Sequence, residues 1–347
     1  MLPIRRRTLT ALLVGFISAS CYAADSAAPS GKAAEPVNVG NFARAESDLY
    51  FGRTVKGGGF GKLVHNRQMT PIDKQDVVRM NRDTLYSAGV FDLDAAPLTI
   101  DLPDTGKRFM SMQVISQDHY TVEVAYAPGQ HTFTKDDVGT RYVFVIIRTL
   151  ADPDNKADLK AATALQDTIT VEQASTGTYE AQQWDKASQD KVRNALVALG
   201  ALGGTSVRFG KREEVDPVSH LIGTAIGWGG NPEEAAVYDI VVPRFNDGKT
   251  VHRLTVTDVP VDGFWSLSVY NAKGYFEKNA LNAYSINSLT ARPNADGSVT
   301  VQFGGCREPL PNCLPIVKGW NYTVRLYRPR PEVVDGSWDF PQAQPVQ

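Results

Sequence analysis

Seven consecutive residues, Asn81-Arg82-Asp83-Thr84-Leu85-Tyr86-Ser87, gather an amide, a guanidinium, a carboxylate, a phenol and two hydroxyls. In such a group Asp83 and Tyr86 are the candidate catalytic pair. Asp83 has the chemistry of a general acid or base, and Tyr86 that of a proton donor or a stacking surface for a sugar ring. Arg82, with Asn81 beside it, has the fork geometry that clamps an anionic group bidentately. The same residue types cap turns and pin strand ends, so a purely structural role is equally open.

Three further places carry candidate binding residues. In the run Phe264 to Tyr270, alternation puts Trp265, Leu267 and Val269 on a core face. Phe264, Ser266, Ser268 and Tyr270 fall on the other, which suits a wet cleft wall, a sugar platform or an exposed sheet face. Asn321, Thr323, Arg325 and Tyr327 share one face of a later strand, where an arginine among aromatics anchors a carboxylate or forms a structural ion pair. His65 precedes Asn66 and Arg67, and His119 adjoins Asp118; both are ligand-binding candidates, and the five histidines show no paired metal spacing such as H-E-x-x-H. No metal ligand set is therefore expected, and no cofactor is indicated. Other matches fail on context. Ser188-Gln189-Asp190-Lys191 fits S-x-x-K without its partner motifs, the glycine run Gly57 to Lys62 follows no strand signal and lacks the hydroxyl residue of a phosphate loop, and G-x-S-x-G is absent.

The elements that must position these residues are mostly strands. Leu98, Ile100 and Leu102, then Met110, Met112 and Val114, then Val122, Val124 and Tyr126 alternate with period two, and the nearly continuous run Tyr142 to Ile147 reads as a central strand. A helix is expected from Phe42 to Val55, ended by Gly57, Gly58 and Gly59, and a helical segment between Asn155 and Gly203. Four Asp-Gly pairs, at 247–248, 262–263, 296–297 and 335–336, supply positive-φ reversals between strand-like runs in the C-terminal half. The expected class is α+β, mostly β, with two antiparallel sandwiches and a helical segment between them.

Residues 1–23 read as a signal peptide: Arg5, Arg6 and Arg7 precede an apolar run from Leu9 to Ala19 that is too short to span a bilayer, so no membrane span is expected. Residues 24–39, rich in Ala, Pro, Ser, Gly and Lys, read as a flexible tether. An N-terminal β domain with helical additions is expected over 40–205 and a C-terminal β-sandwich over 206–347. The address is the periplasm or the exterior. The chain has 36 Lys and Arg against 38 Asp and Glu, and loss of the three leader arginines leaves 33 against 38, which argues against nucleic acid as a partner. Cys306 and Cys313 would then be the remaining cysteines and are expected to form a disulfide, with Pro309 and Pro311 bending the chain between them. Closing so short a loop contributes about 2.5 kcal/mol by loop entropy, a local staple and not the source of the fold.

With Asp92, Pro97, Leu102-Pro103-Asp104 and Arg108-Phe109 added to the Asn81–Ser87 segment, the N-terminal half resembles domain of unknown function 1254. Gly263-Phe264-Trp265-Ser266-Leu267, Tyr270, Asp296-Gly297-Ser298, Asn312 with Leu314-Pro315, Arg325-Leu326-Tyr327 and Trp338 make the C-terminal half resemble its usual companion, domain of unknown function 1214. The resemblance implies tandem jelly-roll-like domains with helical additions, usually exported, and no common activity. One departure is Cys313, where such sequences commonly carry an aromatic between the Asn and the Leu-Pro.

Three functional readings follow. The first is an exported protein that binds or processes a carbohydrate-like or other polyhydroxylated, acidic small ligand, a glycan included, in a cleft of the two β domains. The second is a structural protein that assembles as a homo-oligomer without catalysis. The third is a hydrolase with a dispersed acid-base pair.

Overall fold

The computed structural model describes residues 33–75, 78–204, 207–307 and 310–346; the expected signal peptide, most of the expected tether and Pro309 lie outside the described residues. Alternating apolar residues build two sandwiches in tandem, with strands numbered along the chain. The first pairs a five-stranded sheet, β1 (Val64–His65), β2 (Thr84–Asp92), β7 (Tyr142–Leu150), β4 (Met110–Ser116) and β5 (Thr121–Tyr126) in that spatial order, with a three-stranded sheet of β6 (Gly129–Phe133), β3 (Leu98–Leu102) and β8 (Thr170–Glu172). All of these pairings are antiparallel. Leu98, Ile100 and Leu102 face Met112, Val114, Val145 and Ile147 across the core, as period-two alternation requires. The continuous apolar run becomes β7, central in its sheet and buried on both faces.

The second sandwich packs β12 (Ser285–Asn287), β11 (Trp265–Tyr270), β15 (Asn321–Tyr327) and β9 (Ala236–Val241) on β14 (Cys313–Leu314), β13 (Val299–Phe303), β10 (His252–Val256) and β16 (Gln344–Pro345). Here β13 and β14 run parallel. Trp265, Leu267 and Val269 enter its core beside Val301, Phe303 and Trp320, as alternation predicts. Of the four Asp-Gly pairs, Gly248, Gly297 and Gly336 have positive φ. Gly263 does not; it is needed for close approach, because a Cβ there would lie 2.5 Å from the Tyr327 carbonyl oxygen.

Helix α1 (Phe42–Lys56) ends at Gly57 as expected. The remaining helices are α2 (Lys135–Val138), α3 (Lys156–Asp167), α4 (Lys186–Gly200), α5 (Pro217–Gly227) and α6 (Pro331–Val334). The expected helical segment over 155–203 is therefore interrupted, since β8 leaves it to join the three-stranded sheet. Helix α5 was not read from the sequence, although Asp216-Pro217 before Ser219 is an N-terminal signal: the Asp216 carboxylate accepts from the Ser219 amide, with proline in the first turn. The last residues of the expected tether are packed, not free. Val37 is buried with Phe42 and Leu196, and its amide donates to Ser188 Oγ, a contact that also gives the S-x-x-K serine a structural partner. Among the described residues no helix is long and apolar enough to cross a membrane.

Two bodies share the outer face of the five-stranded sheet. At one end Phe51 of α1 and Trp228 cover Val90, Ile115 and Phe144. At the other, Leu150 and Phe109 meet Ala236, Phe264 and Tyr327 of the second sandwich. This corrects the reading of the second face of β11. Phe264, Ser266, Ser268 and Tyr270 are no wet cleft wall but lie at 0–1% exposure, because the N-terminal half closes over them.

Candidate functional site

The Asn81–Ser87 segment enters β2 at the seam between the sandwiches, and its side chains divide between a buried polar layer and an open groove. Within the layer Asn81 Nδ2 donates to Tyr327 Oη at 2.8 Å, and its Oδ1 caps the Asp83 amide at 2.6 Å. Asp83 has no exposed surface; Oδ1 accepts from Asn287 Nδ2 at 3.0 Å. Its Oδ2 lies beside Ser266 Oγ, without a hydrogen bond of ordinary geometry among the described residues. Burial pushes the Asp83 carboxyl up from its ordinary value, and the charge of Arg325 and the Asn287 bond only partly oppose it.

Arg325, also buried, does not pair directly with Asp83. Its guanidinium donates to Ser268 Oγ at 2.9 Å, Tyr270 Oη at 2.7 Å and the Arg79 carbonyl at 2.8 Å. Burial opposes its charge, but Tyr270, Tyr327 and Asp83 outweigh that and hold it above the ordinary arginine range. Tyr270 Oη in turn donates to the Met80 carbonyl. Burial first, then Tyr238 and Tyr86, push the Tyr327 phenol well above its ordinary range. Six residues chosen from sequence, Asn81, Asp83, Ser266, Tyr270, Arg325 and Tyr327, thus meet in one place. What they build is a polar weld between the halves, with Asp83, Ser266, Tyr270, Arg325 and Tyr327 buried and Asn81 half-buried at its edge.

Tyr86 sits at the edge of this layer. It is half-buried, opposite Arg148 in the β2–β7 register, with the Arg148 guanidinium 5.9 Å from its ring centroid. The histidines lie elsewhere. His65 Nδ1 bonds Ser87 Oγ at 2.7 Å, and burial, then Arg67, lowers its pKa. His119 has φ 66° in the β4–β5 turn, and its Nε2 accepts from the Gly229 amide at 2.8 Å. That leaves Nδ1 to carry the proton toward Thr224 Oγ1 at 2.7 Å. Burial, then His220, holds His119 well below its ordinary pKa, so it serves as a neutral tie between the hairpin and α5.

Arg82 leaves the layer for the groove. One nitrogen donates to the Thr70 carbonyl, and the guanidinium lies 5.5 Å from the ring centroid of Tyr284. Burial lowers its pKa, and no carboxylate lies within ion-pair distance of it among the described residues. The groove it lines measures about 620 Å3 and draws on both halves: Arg82 and Asp154 from the first, Tyr284, Arg292, Arg307 and Asn312 from the second. Arg292 and Arg307 are exposed and likewise outside every ion pair of the described residues. The disulfide Cys306–Cys313 forms as expected, with Cα atoms 5.6 Å apart, and Cys313 lines the groove. Asn282, Arg292 and Arg307 were not singled out from sequence; they sit in loops whose positions depend on long-range packing. A second depression, about 440 Å3, includes Asp118 and Arg212, but Arg44 holds Asp118 in an ion pair and Arg212 lies over Tyr120.

The family described as protein of unknown function (DUF1254) matches residues 60–137, and that described as protein of unknown function (DUF1214) matches 243–331. The chain carries the two domains in tandem. Both the buried weld and the groove of this protein draw on the two matched regions. No curated protein matches it. Among solved structures it is similar to the VPA0106 protein of Vibrio parahaemolyticus, at 17% identity and a TM-score of 0.68 over 89% of this chain and 98% of that one. That likeness is one of fold. A putative uncharacterized protein from Burkholderia cenocepacia aligns at 12% identity and a TM-score of 0.47, over 83% of each chain.

Proposed function

We propose that this protein, after export to the periplasm or the exterior, binds a small acidic, polyhydroxylated ligand in the groove between its two halves. The observation that carries this reading is the set of three arginines, Arg82, Arg292 and Arg307, which line one concavity without a carboxylate partner among the described residues. A guanidinium fork matches a carboxylate bidentately, and Tyr284 and Asn282 add an aromatic face and an amide partner for hydroxyls. A concave site with a few convergent polar groups is where small ligands bind. The weld behind the groove fixes the two walls relative to each other, which lowers the cost of ordering the site.

Thermal unfolding with tri-galacturonate and with neutral maltotriose tests this. Saturation with the acidic trimer at about 100 times Kd would add about 2.7 kcal/mol of stability, with little from the neutral one. No shift with any uronate would remove the reading. A second reading, a homo-oligomer, is favoured by β9, an edge strand that exposes Tyr238 and Ile240, with Val242 just beyond it. A strict monomer by light scattering at micromolar concentration would exclude it.

A further inference from the structure

The outer face of the five-stranded sheet is apolar where the α1 end and the second sandwich cover it, and it carries polar residues between them. One row of paired residues crosses that gap: Tyr86 of β2, Arg148 of β7, Ser111 of β4 and Tyr126 of β5. The next row toward α1 is Ala88, Ile146, Gln113 and Val124. Tyr86, Tyr126, Ala88, Ile146 and Val124 are half-buried, whereas Arg148, Ser111 and Gln113 lie at 0–5% exposure. The gap thus has a rim that reaches water and a guanidinium at its floor.

The loop after α5 builds one wall, with one contact from each of three successive residues. The Gly229 carbonyl accepts from Arg148 Nη2 at 3.2 Å, the Gly230 carbonyl accepts from Gln113 Nε2 at 2.8 Å, and Asn231 Nδ2 donates to Tyr238 Oη at 2.7 Å. Gln113 Oε1 accepts from Arg148 Nη1 at 3.0 Å, so neutral acceptors grip the guanidinium from two sides. The loop is itself held, since the Gly229 amide donates to His119 Nε2 and Gly230 packs so closely on Phe209 that a Cβ there would lie 2.5 Å from the ring. The second sandwich supplies the other wall. Tyr238 pairs with Arg325 in the β9–β15 register, on the face that meets the first sandwich. Burial, then Tyr238 and Tyr86, push the Tyr327 phenol up, which places the three phenols together. At the rim the exposed Arg328 lies 4.7 Å from the Tyr126 ring centroid. Burial raises the Tyr126 phenol, and Arg328, Glu234 and Arg148 are the charges that act on it.

Arg148 is thus a desolvated charge held by dipoles, and among the described residues no carboxylate lies within ion-pair distance of it. Its fork is oriented in advance, which spares a ligand the cost of ordering it. Beside the fork stand the Tyr86 ring, its centroid 5.9 Å from the guanidinium carbon, and the half-buried Ala88 and Ile146, a surface that suits a flat apolar body. We propose that this gap is a second binding site, for a small aromatic carboxylate: the carboxylate pairs with Arg148, and the ring lies against Tyr86 and Ile146. The site shares no lining residue with the groove and stands or falls without it.

Calorimetry with 4-hydroxybenzoate and its neutral isostere 4-hydroxybenzamide tests this. The acid should bind at least about tenfold more tightly than the amide, the difference made by a charge-assisted bond to arginine. Equal binding of the two, or no binding of the acid, would overturn the site. Arg148→Gln should abolish the preference for the acid; a preference that survives in the folded variant places the ligand elsewhere. Arg148 also supports Gln113 and the Gly229 carbonyl, so Tyr86→Leu, at a half-buried position, carries the test if that variant does not fold. It should weaken acid and amide alike by about twofold to tenfold, the worth of one aromatic contact, and leave the preference between them intact. Unchanged affinity for both in Tyr86→Leu would remove the ring from the site and the proposal with it. Excess tri-galacturonate should not displace 4-hydroxybenzoate; competition between them would mean one site and not two. Should tri-galacturonate not bind at all, the groove reading fails separately, and 4-hydroxybenzoate alone judges the second site.

Discussion

The weld and the groove begin at the same three residues and are built on contrary principles. Asn81 and Asp83 enter a layer where polar groups bond mainly to one another, through Tyr327, Asn287, Tyr270 and Arg325. Arg82 enters a concavity where charge meets water and, among the described residues, no acid neutralises it by direct contact. Composition alone does not distinguish the two. A buried guanidinium or carboxylate is tolerated where fixed dipoles replace its water, and such a layer gives orientation at little net gain in stability. An exposed arginine contributes little to stability and keeps its affinity for a ligand.

The sharpest way to break that contrast is Arg325→Ala. It removes three hydrogen bonds, deprives the Tyr270 phenol of its donor and leaves Asp83 without its strongest compensating charge. Loss of one partner from a buried charged set costs about 3–5 kcal/mol, so the melting temperature should fall by many degrees. A change within about 0.5 kcal/mol, the range of an ordinary surface substitution, would show that the layer is no weld.

Asp83→Asn should act in the opposite direction. The raised pKa means that the folded protein binds a proton on Asp83 more tightly than the unfolded chain does. Its contribution is therefore complete below the unfolded carboxylate pKa and lost as pH rises through the folded one. Asparagine removes the charge, keeps the bond from Asn287 and offers an amide donor to Ser266 Oγ, pairing two orphan positions. Above the folded pKa the variant should be more stable by about 1 kcal/mol, the worth of one added hydrogen bond, and the loss of stability with rising pH should flatten. A steeper slope would reverse the sign assigned to Asp83.

Much of this was legible in sequence, because alternation survives wherever one face of a strand is core: Leu98, Ile100 and Leu102 or Trp265, Leu267 and Val269 needed nothing else. The polar convergence was legible only as a set of residue types. Ser266, Tyr270 and Arg325 share faces that alternation identifies, but whether those faces meet water or another domain depends on contacts more than 180 residues away in sequence, such as Tyr270 to Met80. The groove was least legible. Arg292 and Arg307 sit in irregular loops, where neither period nor motif marks them, and they approach Arg82 only after both sandwiches have formed. Helix α5 was hidden differently: its cap, Asp216-Pro217, was present, but the apolar residues after it resemble strand and loop sequence as much as helix.

On the groove side the expected effects are smaller and fall on binding. Arg292→Ala and Arg307→Ala should each weaken tri-galacturonate by up to about fivefold, the range of an exposed ion pair, while the melting temperature stays within a degree or two. The pair together separates the two polar assemblies: affinity falls in the groove variants without stability, and stability falls in the weld variant before affinity is measurable. A large loss of stability in Arg292→Ala would move that residue to the structural side, since its backbone already holds Asn312.

The effect that most sharpens the account of the groove belongs to Asp154. It lines the concavity near Arg82, and burial, then Asp152, raises its pKa while Arg82 opposes the rise. When ionised it repels an anionic ligand, and as pH falls through its raised pKa that repulsion disappears. Acidic sugars should thus bind more tightly at mildly acidic pH, over the range where their own carboxylates stay ionised. Asp154→Asn should tighten binding at pH 7 by about fivefold, the Coulomb energy of two unit charges about 4 Å apart in a watery setting, and remove the pH dependence. Weaker binding in that variant would mean that the carboxylate accepts hydrogen bonds from sugar hydroxyls, and the groove would then read the polyhydroxylated part of its ligand through Asp154 and the acidic part through the arginines alone.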